Sequence, residues 1–177
     1  MHLIVNGVER EVDSAPLTPL LHVLREELGI TSPKAGCQQG GCGSCTVLVG
    51  GEPRRSCLLA VATCEGFEVT TVEGLGTPER LAPLQAAFHE QYGAQCGFCT
   101  PGMLMASHAL LERTPSPSRR DIESALAGHL CRCTGYVKII AAVEAAARGD
   151  VASDQREPSL ADADPSEPDV LIPGSPA

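Results

Sequence analysis

Residues 36–57 read GCQQGGCGSCTVLVGGEPRRSC. Four residues separate Cys37 from Cys42, two separate Cys42 from Cys45, and eleven separate Cys45 from Cys57. Three cysteines in one glycine-rich loop, with a fourth supplied from farther along, is the plant-type spacing of a [2Fe–2S] site. Several thiolates must converge on two irons, so the loop has to fold tightly and enter the left-handed region in places. Gly36, Gly40, Gly41 and Gly43 permit that at little steric cost. Backbone N–H groups released from regular structure can then face the sulfurs and tune a reduction potential. Structural zinc, disulfides and buried free thiols are the competing readings. Zinc modules usually carry two separate Cys-x₂₋₄-Cys knuckles. Nothing in the sequence suggests export, and a loop this rich in glycine is a poor core segment.

The composition bounds the rest. A chain of 177 residues allows one large domain or two small ones. Nine cysteines are an odd number, below the density of a disulfide scaffold. The start, MHLIVNGVEREV, has no basic region leading into a long apolar run, so no signal peptide is expected. No apolar stretch approaches the roughly 20 residues that span a bilayer. A reducing cytoplasm is the expectation, where clustered cysteines favour metal over disulfides. The net charge of −9 argues against a nucleic-acid partner. From Asp150 to Ala177 seven acidic residues face one Arg, so −6 of that charge sits in the tail. Trp is absent and aromatics make up 3% of residues, which rules out a base-stacking surface.

Residues 3–5 and 8–12 flank Asn6-Gly7, a strong hairpin signal. Thr18-Pro19 reads as an N-cap with proline at the first helical position. Leu17, Leu20, Leu21, Leu24 and Leu28 recur at helical spacing, and Gly29 stands where a C-cap belongs. Thr46 to Val49 reads as a strand turned by Gly50-Gly51, Cys57 to Ala62 as an apolar run, and Phe67 to Val72 as β-rich. The expectation is a small mixed sheet crossed by one helix, over residues 1–76. Residues 77–149 read as four short amphipathic helices in a compact bundle. Their stripes are Leu81, Leu84, Phe88 and Tyr92; Met103, Ser107, Leu110 and Leu111 after Pro101-Gly102; Ile122, Ala125 and Leu126; and Tyr136, Ile139, Ile140, Val143 and Ala147. Ser118 with Asp121 forms a capping box before the third. Residues 150–177, acidic and with five prolines, read as a disordered or extended tail. Within it Val170-Leu171-Ile172 offers an apolar knot that could dock on a partner.

A second cysteine set follows. Cys96 and Cys99 lie in GAQCGFCTPG, Cys131 and Cys133 in GHLCRCTGY, each pair at a junction between expected helices. Two such turns meeting in mid-bundle bring four thiolates together. Cys-x-Cys is a strained chelate for one zinc but reaches across two irons, so the spacing favours iron–sulfur and leaves zinc open. Cys64 lacks a partner at ligand spacing and reads as a buried small hydrophobe. The histidines (His2, His22, His89, His108, His129) fall in no metal or nucleophile pattern; His129, close to Cys131, could hydrogen-bond near that site, but it reads rather as a plain polar helix-end residue.

The two quartets, GCQQGGCGSC plus Cys57 and QCGFC plus CRCTGY, resemble the small iron–sulfur subunit of molybdenum hydroxylases of the xanthine oxidase family. Carbon monoxide dehydrogenase, isoquinoline oxidoreductase, the nicotine and nicotinate dehydrogenases and 4-hydroxybenzoyl-CoA reductase have such subunits. The resemblance covers roughly residues 2–148 and leaves the tail out. The family often has Asn where this chain has His129. The resemblance implies an α+β fold, with an N-terminal β-grasp plant-type ferredoxin-like domain followed by a C-terminal four-helix-bundle [2Fe–2S] domain. It implies an outer cluster on Cys37, Cys42, Cys45 and Cys57, facing FAD. A proximal cluster on Cys96, Cys99, Cys131 and Cys133 would face molybdopterin in its cytosine dinucleotide form. Gln95 would contact the pterin, and Cys133 would lie nearest it. The implied partners are a large molybdopterin-binding subunit plus a medium FAD-binding subunit, in a dimer of heterotrimers. This chain would relay electrons and supply no acid, base or nucleophile. It has no Rossmann glycine pattern and no P-loop lysine. A free-standing ferredoxin and a zinc-organised interaction module are the alternatives, and iron content separates them.

Overall fold

A computed structural model describes residues 1–151. The first half is a five-stranded sheet in the order β2-β1-β5-β3-β4, with β1 at His2–Val5, β2 at Val8–Glu11, β3 at Thr46–Val49, β4 at Glu52–Arg55 and β5 at Glu68–Thr70. The β1 and β5 strands run parallel, and the other pairs are antiparallel. The Asn6-Gly7 hairpin forms as read: both residues are left-handed, φ 52° and 74°, as a two-residue turn of matching twist requires. Both sheet edges resist pairing with another chain. Every residue of β2 (VERE) is exposed and three are charged, and β4 carries Pro53 beside Arg54 and Arg55. This last strand has no apolar alternation, and the sequence reading missed it.

The segment joining parallel strands β1 and β5 must cross over, and it carries both the helix and the cysteine loop. Helix α1 runs Leu20–His22 and continues as a π-helical turn over Val23–Glu27. Thr18 and Pro19 sit one residue outside the expected frame: Pro19 is the cap, with ψ 132°, and makes no side-chain cap bond. The first helical N–H groups bond across the fold instead, Leu20 to the Leu59 carbonyl (2.8 Å) and Leu21 to Ser56 (3.0 Å). Leu17 therefore lies before the helix and is 84% exposed, off the expected stripe. Gly29 closes the helix at φ 69°, and Ile30 N–H reaches back to the Leu24 carbonyl at 2.7 Å. Leu20, Val23 and Leu24 pack on Leu3, Val5, Val47, Val61 and Val69, and Cys64 is fully buried among them, as its reading required. The apolar run at 57–62 gives no strand. It turns into a 3₁₀ helix, Val61–Cys64, because Ala60 and Val61 pair with the α1 entry rather than the sheet.

Four helices make the second half: α2 (Pro83–Glu90), α3 (Thr100–Arg113), α4 (Arg119–Leu126) and α5 (Val137–Arg148). Leu84, Phe88, Met103, Leu110, Ile122, Leu126, Ile139, Ile140 and Val143 share one core. The Ser118–Asp121 capping box is present, with Ser118 N–H on Asp121 Oδ2 at 2.8 Å. Leu81 and Tyr92 leave the expected face, because α2 starts only at Pro83 and ends before Tyr92, which turns left-handed (φ 54°) and is 76% exposed. Pro101 and Gly102 lie inside the first turn of α3 instead of preceding it. Val151 still touches the helical core. The tail readings, including Val170-Leu171-Ile172, lie outside the described residues.

The two halves meet along α3. On β3, Val47 faces the first core while Leu48 packs on Met105 and Ala109 of α3, which is why residues 47–49 are apolar without a break. A Cβ on Gly102 would come within 2.2 Å of the Gly43 carbonyl oxygen, so the helix start rests directly on the backbone of the cysteine loop.

Candidate metal centres

The first quartet hangs between α1 and the β3–β4 hairpin. Cys45 ends the loop just before β3, and Cys57 follows β4, so strand pairing brings the two together. Ser56 fixes them, its hydroxyl donating to the Cys45 carbonyl at 2.7 Å. Both cysteines are buried and pack against Leu21 of α1. Burial, then the neighbouring Cys45 side chain, pushes the Cys57 thiol up to about 11. Cys37 is different. The N–H groups of Gln39 and Cys42 both donate to its sulfur at 3.4 Å, and they pull its thiol down to about 6. The loop makes this possible by turning left-handed at Gln38, Gly40 and Gly43 (φ 54°, 79°, 76°). Gly36 serves by its size: a Cβ there would lie 2.9 Å from Cys42 Sγ. Gly41 would meet nothing.

The second quartet comes from two helix junctions, as the spacing required. Cys99 caps the start of α3, while Cys131 and Cys133 lie between α4 and α5. Cys96 Sγ and Cys133 Sγ stand 3.6 Å apart and are exposed. The Cys133 thiol is raised, chiefly by its contact with the Cys96 side chain. Cys99 is buried; its thiol is pushed up to about 12 by burial and then by the Cys131 side chain. At Cys131 burial opposes ionisation, but the Thr134 hydroxyl and amide outweigh it and the thiol is lowered. Gln95 is exposed on the turn before Cys96.

None of the nine cysteines is in a disulfide. Among the described residues no three His, Cys, Asp or Glu side chains close on one point. The thiols meet two by two instead, Cys37 with Cys42, Cys45 with Cys57, Cys96 with Cys133 and Cys99 with Cys131. Tetrahedral thiolate sites with bonds near ~2.3 Å have sulfur–sulfur edges of ~3.8 Å. The 3.6 Å edge of Cys96 and Cys133 matches two thiolates on one metal. Two such pairs per site are what a two-iron cluster asks for, and the amides aimed at Cys37 and Cys131 are the donors its sulfurs accept.

Sequence reasoning missed the residues that join the two centres. His129 follows the end of α4, as its helix-end reading has it, but it is buried, 4% exposed. Its Nε2 stands 3.0 Å from Thr46 Oγ1 and 3.2 Å from Arg55 Nη1. Arg55 also donates to Thr46 Oγ1 (2.6 Å), to the Gly128 carbonyl (2.7 Å) and to the Gly40 carbonyl (3.3 Å). Burial and then the Arg55 charge push the imidazole down to about 4, so it is neutral. A signal was present in the sequence: an arginine two residues before Cys57, in a strand with no apolar pattern.

The comparisons with known proteins follow the same division. A 2Fe-2S iron-sulfur cluster binding domain matches residues 3–68, and a [2Fe-2S] binding domain matches residues 71–144. The nicotinate dehydrogenase small FeS subunit of Eubacterium barkeri is 42% identical over 143 residues, covering 81% of this chain and 91% of that one. The structure of quinoline 2-oxidoreductase from Pseudomonas putida 86 aligns with a TM-score of 0.77 at 44% identity, over 85% of this chain and 97% of the matched one. Aldehyde oxidoreductase of Desulfovibrio desulfuricans aligns with a TM-score of 0.81 at 44% identity, over 84% of this chain and 17% of that much longer one. With two [2Fe–2S]-binding domains and relatives of this identity and coverage, the chain belongs to the small iron–sulfur subunits of the xanthine oxidase family of molybdenum hydroxylases.

Proposed function

We propose that this chain is the electron-relay subunit of a heteromeric molybdenum hydroxylase. It would carry electrons from a molybdopterin site on a large subunit, through two [2Fe–2S] clusters, to FAD on a medium subunit. The observation that carries this reading is the direct hydrogen bond between the two cysteine-bearing segments, Leu130 N–H to the Cys42 carbonyl at 2.9 Å. One-electron carriers are needed between a two-electron molybdenum site and a flavin. Cys37, Cys42, Cys45 and Cys57 would hold the outer cluster, in a β-grasp domain over residues 1–76. Cys96, Cys99, Cys131 and Cys133 would hold the proximal one, in a four-helix bundle over residues 77–149. The exposed edge formed by Gln95, Cys96 and Cys133 favours the molybdenum subunit on that side, with Gln95 on the pterin and Cys133 nearest it. The chain's own residues bind and orient; substrate chemistry belongs to the large subunit. The assembly would be a dimer of heterotrimers in the cytoplasm, where eight thiolates stay reduced.

Iron and acid-labile sulfide analysis of the purified complex tests the reading, with electron paramagnetic resonance after dithionite reduction. About four irons per chain and two distinct signals are expected. Zinc in place of iron, or a single signal, would sink it.

A further inference from the structure

Thr134 offers the Cys131 sulfur two donors. Thr134 places its hydroxyl oxygen 3.1 Å and its amide nitrogen 3.5 Å from Cys131 Sγ. The direction of the hydroxyl follows from its other neighbour. Tyr136 N–H donates to Thr134 Oγ1 at 3.2 Å, and an N–H can only donate. That bond occupies a lone pair on Oγ1 and leaves the Thr134 proton for the sulfur. Two successive left-handed residues, Gly135 (φ 63°) and Tyr136 (φ 66°), fold the chain back to make this contact. The far end of Tyr136 clamps the same loop. Its hydroxyl accepts from Cys131 N–H and donates to the His129 carbonyl, both at 2.9 Å. Every proton in the circuit then has one place to go.

We propose that Thr134 sets the reduction potential of the helical-half [2Fe–2S] cluster by donating its hydroxyl to the Cys131 sulfur, with Tyr136 fixing the donor's direction. This rests on the assignment of Cys131 as a cluster ligand. One-electron reduction makes the ligand sulfurs more negative, so a hydrogen-bond donor stabilises the reduced form more than the oxidised form. Removing it lowers the potential. Thr134 is a positioning residue, since it acts on the cluster through Cys131.

The test is a dithionite titration of the full chain, purified with its partner subunits, followed by electron paramagnetic resonance. In Thr134→Val one of the two cluster signals develops at lower potential, by about tenfold in the reduced-to-oxidised ratio at a given poise. That corresponds to about 59 mV for a one-electron couple. The other cluster keeps its midpoint, and Thr134→Ser keeps both. If Val disturbs cluster loading, Thr134→Ala removes the same hydroxyl without adding a methyl group and is read the same way. Unchanged midpoints in a fully loaded variant overturn the proposal, and so does an equal shift of both signals. Wild-type protein that shows no cluster signals overturns the iron–sulfur reading itself.

Discussion

Leu130 N–H donates to the carbonyl oxygen of Cys42 at 2.9 Å. One hydrogen bond and a few covalent bonds therefore separate a cysteine of the first quartet from Cys131 of the second. The bond does not stand alone. Gly43, next to Cys42, lies under the His129 ring, and Arg55 reaches from the Gly40 carbonyl to the Gly128 carbonyl. The two cysteine loops are thus held by backbone polar groups over a few residues, and only then by apolar packing of α3 on β3. Backbone contacts of this kind leave little room for relative motion, as a relay between fixed centres requires.

Gly43→Ala should be severely destabilising and Gly41→Ala mild. Gly43 has φ 76°, and a Cβ there would lie 2.5 Å from the His129 ring and 2.7 Å from the Gly128 carbonyl oxygen. The left-handed backbone alone costs about 1–3 kcal/mol for a residue with a Cβ, and the clash with backbone adds to it. At Gly41 nothing lies within 4 Å of the same atom. Thermal denaturation of the two variants should show a large fall in midpoint for the first and a small one for the second. Equal midpoints would contradict this account of the loop.

Arg55→Lys should behave much like Arg55→Ala. Arg55 spreads its fork over Thr46 Oγ1, Gly128 O and Gly40 O, and a lysine ammonium cannot span all three. Thr46 is 1% exposed, so it cannot recover its lost donor from water. A loss of about 1–3 kcal/mol follows. Chemical denaturation should show it in both variants, with iron content unchanged in the folded fraction. A lysine variant as stable as wild type would mean that charge alone matters there.

How much of this was legible in the sequence depends on the range of the interaction. The Asn6-Gly7 turn, the Gly29 cap and the Ser118–Asp121 box are local, and each formed where it was read. The placement of the second cysteine pairs at helix junctions was legible for the same reason. Strand β4 was not, because EPRR is held by its partner β3 and by the joint, not by its own pattern. Leu17 and Tyr92 fitted their helical stripes by number. The first helix starts late, at Leu20, whose N–H pairs with the distant Leu59 carbonyl, and the second ends before the left-handed turn at Tyr92. The burial of His129 and its bonds were not legible, because its partners, Thr46 and Arg55, are more than seventy residues away in the chain.

Glu73 should contribute stability that acid removes. Its carboxylate accepts from Ser32 N–H (3.1 Å), the Ser32 hydroxyl (2.5 Å) and the Thr71 hydroxyl (2.6 Å), tying the approach to the cysteine loop to the link between halves. Partial desolvation of the carboxyl opposes ionisation, but these bonds outweigh it and hold it below its usual value of 4.5. A lowered folded value favours the folded state above the unfolded value, and the gain vanishes as pH falls through the folded one. The stability difference between wild type and Glu73→Gln should be constant near neutrality and shrink below about pH 4.5. The residue is exposed, so the difference stays within about 1 kcal/mol. A difference that grows on acidification would reverse the sign assigned here.

Cys133→Ala and Cys64→Ala separate a ligand from a packing thiol. Cys133 is exposed and stands 3.6 Å from Cys96, so it has little packing to lose. Iron should fall from about four to about two per chain, with one resonance signal gone and the other kept. Cys64 is fully buried among Leu3, Val5 and Val69, and burial raises its thiol, so it gains nothing from ionising. Its alanine variant should keep all its iron and both signals, and lose about 1 kcal/mol through the small cavity left behind. The opposite pattern, iron lost with Cys64 and kept without Cys133, would mean that the exposed sulfur pair is not a ligand edge and that the quartets are drawn from the wrong eight cysteines.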